Sequence, residues 1–201
     1  MPLNYLAFGD SYTIGESVIT EQSFPFQLVS KLRESGRQIN DPKIVATTGW
    51  TTGELLEAIK AENITAKFDL VTLLVGVNNQ YRGYSKSNYR TEFEELLQMA
   101  LSFADSNPER VYVVSIPDWS VTPFAQKSNR DVAKVSSEIA AFNRINKEIA
   151  LKAEVSYIDI TPGSKKAAAD PTLLADDGLH PSGRMYLEWT QILRDAIAGK
   201  S

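Results

Sequence analysis

The chain has no cysteine and a single histidine. The lack of cysteine excludes disulfides and a thiolate nucleophile, and it fits a reducing compartment. One histidine leaves little with which to build a transition-metal centre, so no metal or other cofactor is expected. Basic charge is not in excess: Lys and Arg number 21 against 25 Asp and Glu, for a net charge of −4. A nucleic acid, which demands a basic surface, is therefore not an expected partner. No apolar run approaches the ~20 residues of a membrane helix, so membrane insertion is not expected. The first apolar run begins at Leu3, which leaves no room ahead of it for a charged leader, an apolar signal core and a cleavage site. Together these absences predict a soluble cytoplasmic protein. Internal repeats, low-complexity tracts and linkers are missing too, and the 201 residues are read as one domain, 1–201.

What is present is an alternation of apolar strand-like runs with amphipathic helices. Leu3 to Phe8 reads as a buried strand, and Lys43 to Thr48, Phe68 to Val75, Arg110 to Ile116 and Val155 to Asp159 read as four more. Ser23 is placed to cap a helix carrying Phe24, Leu28, Val29 and Leu32, with Gly36 as its stop. Thr51-Thr-Gly-Glu54 has the spacing of a capping box. Further helices are expected over Asn88 to Ala104 and Asn129 to Leu151, and from the cap at Ser182 to about Ala198. Five strands alternating with five helices through short connections predict a three-layer α/β/α sandwich around a parallel sheet.

The chemistry starts where the first strand stops, at Gly9-Asp10-Ser11. In a parallel sheet the carboxyl ends of the strands border the ligand crevice, so Ser11 belongs at its mouth. A serine hydroxyl needs a base, and the one histidine, His180, lies in Asp176-Asp-Gly-Leu-His-Pro-Ser-Gly183, just before the last helix. A carboxylate three residues before His180, across a glycine turn, can reach imidazole Nδ1 and leave Nε2 free. Asp177 has that spacing, and Asp176 competes for the same place. Gly49 ends the second strand and offers an unobstructed N–H. Asn78 follows the third strand and offers a side-chain amide. With the Ser11 N–H these are three donors that can converge as an oxyanion hole.

This order of residues resembles the SGNH (GDSL-type) hydrolase family, named for its Ser, Gly, Asn and His. Phe8-Gly-Asp-Ser-Tyr-Thr13 is similar to its first motif, Thr48-Gly-Trp-Thr-Thr52 to its second, Gly76-Val-Asn-Asn79 to its third and Asp177-Gly-Leu-His180 to its last. The resemblance spans nearly the whole chain. It implies a flavodoxin-like fold and hydrolysis of a small ester through an acyl-enzyme. Ser11 is then the nucleophile, His180 the base and Asp177 its orienter, with Ser11, Gly49 and Asn78 around the oxyanion. Two positions depart from the pattern. Tyr12 stands where a leucine-like residue is usual, and Asn79 stands where aspartate is common, which bears on the network that orients Asn78.

Other residues carry two readings. Trp50, Tyr81, Trp119 and Phe124 either line a substrate pocket or pin their own loops. Asp10 either bonds the turn backbone or acts as a nucleophile in Mg²⁺-dependent phosphoryl transfer, although Tyr12 stands where that pattern wants a second aspartate. A binding module without catalysis is the remaining alternative. The family spans lysophospholipases, thioesterases, aryl esterases and carbohydrate deacetylases. The sequence has no long apolar insertion to serve as a lid, which favours short acyl or acetyl esters.

Overall fold

In the computed structural model, which describes residues 1–199, the first apolar run becomes β1 (Tyr5–Gly9), buried along its whole length. The other strands are β2 (Lys43–Ala46), β3 (Leu70–Leu74), β4 (Val111–Val114) and β5 (Ser156–Ile158). They form one five-stranded sheet in the order β2-β1-β3-β4-β5, every neighbouring pair parallel. Leu6 of β1 stands between Lys43 and Val71, which fixes the register of the three strands nearest the site. This is the flavodoxin-like order, and its switch point is where β1 leads one way to β2 and the chain then returns on the other side to β3.

β4 is shorter than its apolar run because its end leaves the ladder for a side-chain partner. Ile116, beyond β4, gives its N–H to Asn143 Oδ1 at 2.8 Å and takes Asn143 Nδ2 on its carbonyl at 2.8 Å. The buried amide thus substitutes for a neighbouring strand.

The helices are α1 (Ser11–Ile14), α2 (Phe24–Glu34), α3 (Thr52–Ala61), α4 (Val77–Tyr81), α5 (Lys86–Phe103), α6 (Pro123–Lys127), α7 (Val132–Lys152), α8 (Thr161–Ser164) and α9 (Gly183–Ala198). The five long ones answer to the five expected. On one face of the sheet α2 packs against α9; on the other, α3, α5 and α7 lie side by side. That is the outcome of right-handed crossovers from this strand order. The sheet is buried between the layers, with Leu6, Phe8, Val71, Leu73, Val111 and Val113 inaccessible to solvent.

The caps explain where helices begin. Thr51 accepts the Glu54 N–H while Glu54 Oε2 accepts the Thr51 N–H at 2.8 Å, a complete capping box. Asp131, not Asn129, starts α7, taking the N–H groups of Ala133 and Lys134. Ser23 precedes α2 but does not cap it with its side chain; a turn of 3₁₀ helix stands just ahead, and its hydroxyl donates to the Thr20 carbonyl at 2.8 Å. Among the described residues no helix is long and apolar enough to cross a membrane.

Candidate active site

The end of β1 turns directly into α1. Asp10 is the cap: its Oδ1 accepts the Tyr12 N–H at 3.0 Å. Ser11 therefore opens the helix, with no intramolecular partner for its own N–H among the described residues. Asp10 is wholly buried, and that burial pushes its carboxyl up to about 7 against the N–H bond of Tyr12.

His180 arrives from the far end of the chain. Its loop is pinned by the bond from the Ala175 N–H to the His180 carbonyl at 2.8 Å and by an isolated bridge between Leu174 and Pro181. Nε2 lies 3.1 Å from Ser11 Oγ, and Nδ1 lies 2.6 Å from Asp177 Oδ2. Asp177 Oδ1 accepts the N–H groups of Leu179 and His180, each at 2.9 Å. Partial burial pushes the Asp177 carboxyl up, but bonds from the His180 ring, the His180 and Leu179 N–H groups and the Ser17 hydroxyl together outweigh it and hold the group down at about 2. Asp176 is exposed and, among the described residues, bonds to neither partner. Of the two candidate acids, Asp177 is the one in place.

Gly49 and Asn78 come to the same place from β2 and β3. Gly49 holds φ +87, a left-handed conformation that suits glycine alone at low cost, and its N–H has no intramolecular partner among the described residues. Gly76 holds φ +135 in the turn from β3 to α4; a Cβ there would fall 2.7 Å from both Ile116 and Tyr89. The turn aims Asn78 back across the sheet, where its Nδ2 donates to the Trp50 carbonyl at 2.9 Å. An amide has two hydrogens, so this bond fixes the group and leaves one for the cleft. The Asn79 departure does not break the local network. Asn79 is buried, accepts the Thr52 N–H at 3.1 Å and donates to Thr52 Oγ1 at 2.7 Å, and Thr52 Oγ1 in turn bonds Glu92.

Ser11, Gly49, Asn78 and His180 share one cavity of about 180 Å³ with Tyr12, Thr48, Val77, Tyr81, Trp119, Phe124 and Leu179. Three of the four aromatics named from the sequence thus line it. Trp50 does not: after the turn at Gly49 its side chain packs against the apolar core, and only its carbonyl serves the site. Trp119 is 2% exposed and donates its indole N–H to Gln80 at 2.9 Å. Tyr81 packs on Trp119, ring centroids 5.7 Å apart, and the Arg130 guanidinium lies 4.0 Å from the Tyr81 ring centre and 6.0 Å from that of Trp119.

Two contacts have no signal in the sequence. Arg82 reaches the Gly49 carbonyl at 2.7 Å and Glu54 at 3.2 Å, tying the loop after β2 to α4. The Ser17 hydroxyl donates to Asp177 Oδ2 at 2.7 Å. Both are tertiary contacts of common polar residues, and spacing along the chain does not encode them.

The arrangement is a hydroxyl, an imidazole and a carboxylate in line, beside N–H groups without partners. Residues 7–187 match the GDSL-like lipase/acylhydrolase family. The chain belongs to that family. It is a carboxylic ester hydrolase of the SGNH/GDSL type. A sequence search of curated proteins finds no match. Among solved structures it is similar to TesA (TM-score 0.76, 18% identity, 98% of each chain covered). It is also similar to the psychrotrophic esterase EstA from Pseudoalteromonas sp., in a structure inhibited by monoethylphosphonate (TM-score 0.73, 16% identity, 98% of this chain and 97% of that one). A third likeness is to the acetyl xylan esterase AlAXEase (TM-score 0.76, 15% identity, 97% and 100% covered). At these identities the likenesses speak for the α/β/α fold of this GDSL hydrolase.

Proposed function

We propose that this hydrolase cleaves short acyl esters through an acyl-enzyme on Ser11. The observation that carries the reading is the unbroken line Ser11 Oγ, His180 Nε2, His180 Nδ1, Asp177 Oδ2, with spacings of 3.1 and 2.6 Å. Ser11 Oγ attacks the ester carbonyl as its proton passes to His180 Nε2. Asp177 accepts the Nδ1–H, which sets the tautomer and steadies the imidazolium. The carbonyl oxygen becomes an oxyanion held by the Ser11 and Gly49 N–H groups and the second Asn78 hydrogen. Collapse expels the alcohol, which takes the proton from Nε2. Water then attacks the acyl-enzyme with His180 again as base, the acid departs and Ser11 is restored.

The cavity supports a short acyl group. Its volume is about 180 Å³, and the buried Trp119 and the wall of Val77, Phe124 and Leu179 bound it. The acetyl ester named for one structural neighbour is consistent with this choice. Phosphoryl transfer from Asp10 has no support, because that carboxyl is wholly buried and caps α1. The test is turnover of 4-nitrophenyl acetate by native protein and by Ser11→Ala. The proposal expects hydrolysis by the first and none by the second; equal turnover by both would refute it.

A further inference from the structure

The loop that carries Ser11 returns to the site six residues later. After α1 the chain turns at Gly15 (φ +79), and the Gly15 and Glu16 N–H groups both bond back to the Ser11 carbonyl, at 3.1 and 3.0 Å. Ser17 follows with φ +66. A non-glycine residue in that region is uncommon and is held there by its surroundings. Here the conformation delivers its hydroxyl to Asp177 Oδ2 at 2.7 Å, the same oxygen that faces His180 Nδ1 at 2.6 Å. The result is a closed circuit: Ser11 to His180, His180 to Asp177, Asp177 to Ser17, and Ser17 back through the backbone to Ser11.

We infer that Ser17 is a positioning residue of this site, a fourth member that aims Asp177 and moderates how strongly that carboxylate holds a proton on His180. The inference rests on the triad reading given above. The physical argument concerns where the carboxylate's charge goes. Each hydrogen bond an oxygen accepts offsets part of its charge. With Ser17 in place Oδ2 divides its charge between a hydroxyl and the imidazole. Without it, all of that oxygen's charge faces Nδ1, so the protonated ring is stabilised further and the base is blocked to a higher pH. Asp177 also loses its direct bond to the nucleophile's loop, so the ring is aimed less well.

Other ionisable groups surround the pair. Asp10, Tyr12 and Glu16 lie on the nucleophile's side, Tyr186 on α9, Asp118 beyond β4 and Asp176 in the acid's own loop. Among the described residues none of them hydrogen-bonds the Asp177 carboxylate or the His180 ring. Asp10 bonds Tyr12, Glu16 bonds Thr48, and Asp118 bonds Ser120 and Ser136. Ser17 is therefore the side chain placed to set the carboxylate's charge from outside the loop.

The experiment is the pH dependence of kcat/KM on 4-nitrophenyl acetate for native protein, Ser17→Ala, Ser17→Gly and His180→Gln. Glycine accepts φ +66 without strain, so Ser17→Gly removes the hydroxyl while sparing the turn. In both Ser17 variants the acid limb should move up by roughly half a pH unit, the scale of one neutral hydrogen bond. Plateau kcat should fall more than KM changes. A limb that vanishes in His180→Gln but stays in place in both Ser17 variants overturns the role of Ser17 and leaves the triad standing. A limb that persists in His180→Gln overturns the triad, and the Ser17 inference with it.

Discussion

Each group at the site has a measurable signature of its own. Asn78→Ala removes one of the proposed oxyanion donors and should lower kcat by roughly 10²–10³, with little change in KM; a rise in KM alone would make Asn78 a substrate contact instead. The two carboxylates Asp10 and Asp177 act on stability in opposite directions. Asp10 is raised by burial from 3.8 to about 7, so the folded state binds a proton that the unfolded chain releases. Its contribution is complete below about 4 and is lost as pH rises through about 7. Asp177 is lowered to about 2, so its contribution is present above about 4 and lost as pH falls toward 2. Thermal unfolding followed from pH 4 to 8 should show a declining midpoint for native protein and a flatter one for Asp10→Asn. Parallel profiles would mean that another group titrates. At this scale the sequence was informative where chemistry follows an element boundary. Ser11, Gly49, Asn78 and His180 each stand just past a strand or just before a helix, and all line one cavity. Trp50 could not be placed the same way, because a single left-handed turn decides which side its ring takes. Ser17 and Arg82 reach the site only through the fold.

The elements show the same division. Long amphipathic helices and buried strands are legible because their period repeats for several turns. The four short helices α1, α4, α6 and α8 have four or five residues each, too few for a period. Two of them hold Ser11 and Asn78. Caps were legible when the side chain had only the helix to serve, as at Thr51, and were misread when it had a nearer acceptor, as at Ser23. The caps can be tested directly. Asp131→Ala removes the acceptor for two N–H groups of α7, and Thr51→Ala breaks the capping box beside Gly49; each should cost about 1 kcal/mol in denaturant unfolding. If Thr51→Ala also lowers kcat while Asp131→Ala does not, the capping box supports the Gly49 loop. Equal kinetics in both would assign it to stability alone.

For the whole molecule, the strand order is the organising fact. It puts β1 between β2 and β3, so three loops carrying Ser11, Gly49 and Asn78 meet at one edge. The loop before α9 then brings His180 to them. The alternation of strands and helices predicts this architecture. The cleft's size it does not predict, because Tyr81 after β3, Trp119 and Phe124 after β4, and Leu179 before α9 are far apart in the chain and meet only in the folded protein. With that cleft, kcat/KM on 4-nitrophenyl esters should be highest for acetate to butyrate and fall for longer chains. A maximum at long chains would place the acyl group outside the cavity. The central claim is that one serine, set by this topology, carries the acyl group. Its most direct test is covalent labelling with a serine-directed phosphonate, read by intact mass and peptide mapping. The account predicts one adduct per chain, on Ser11, formed by native protein and not by Ser11→Ala. An adduct on any other serine, or none on an active native protein, would contradict it.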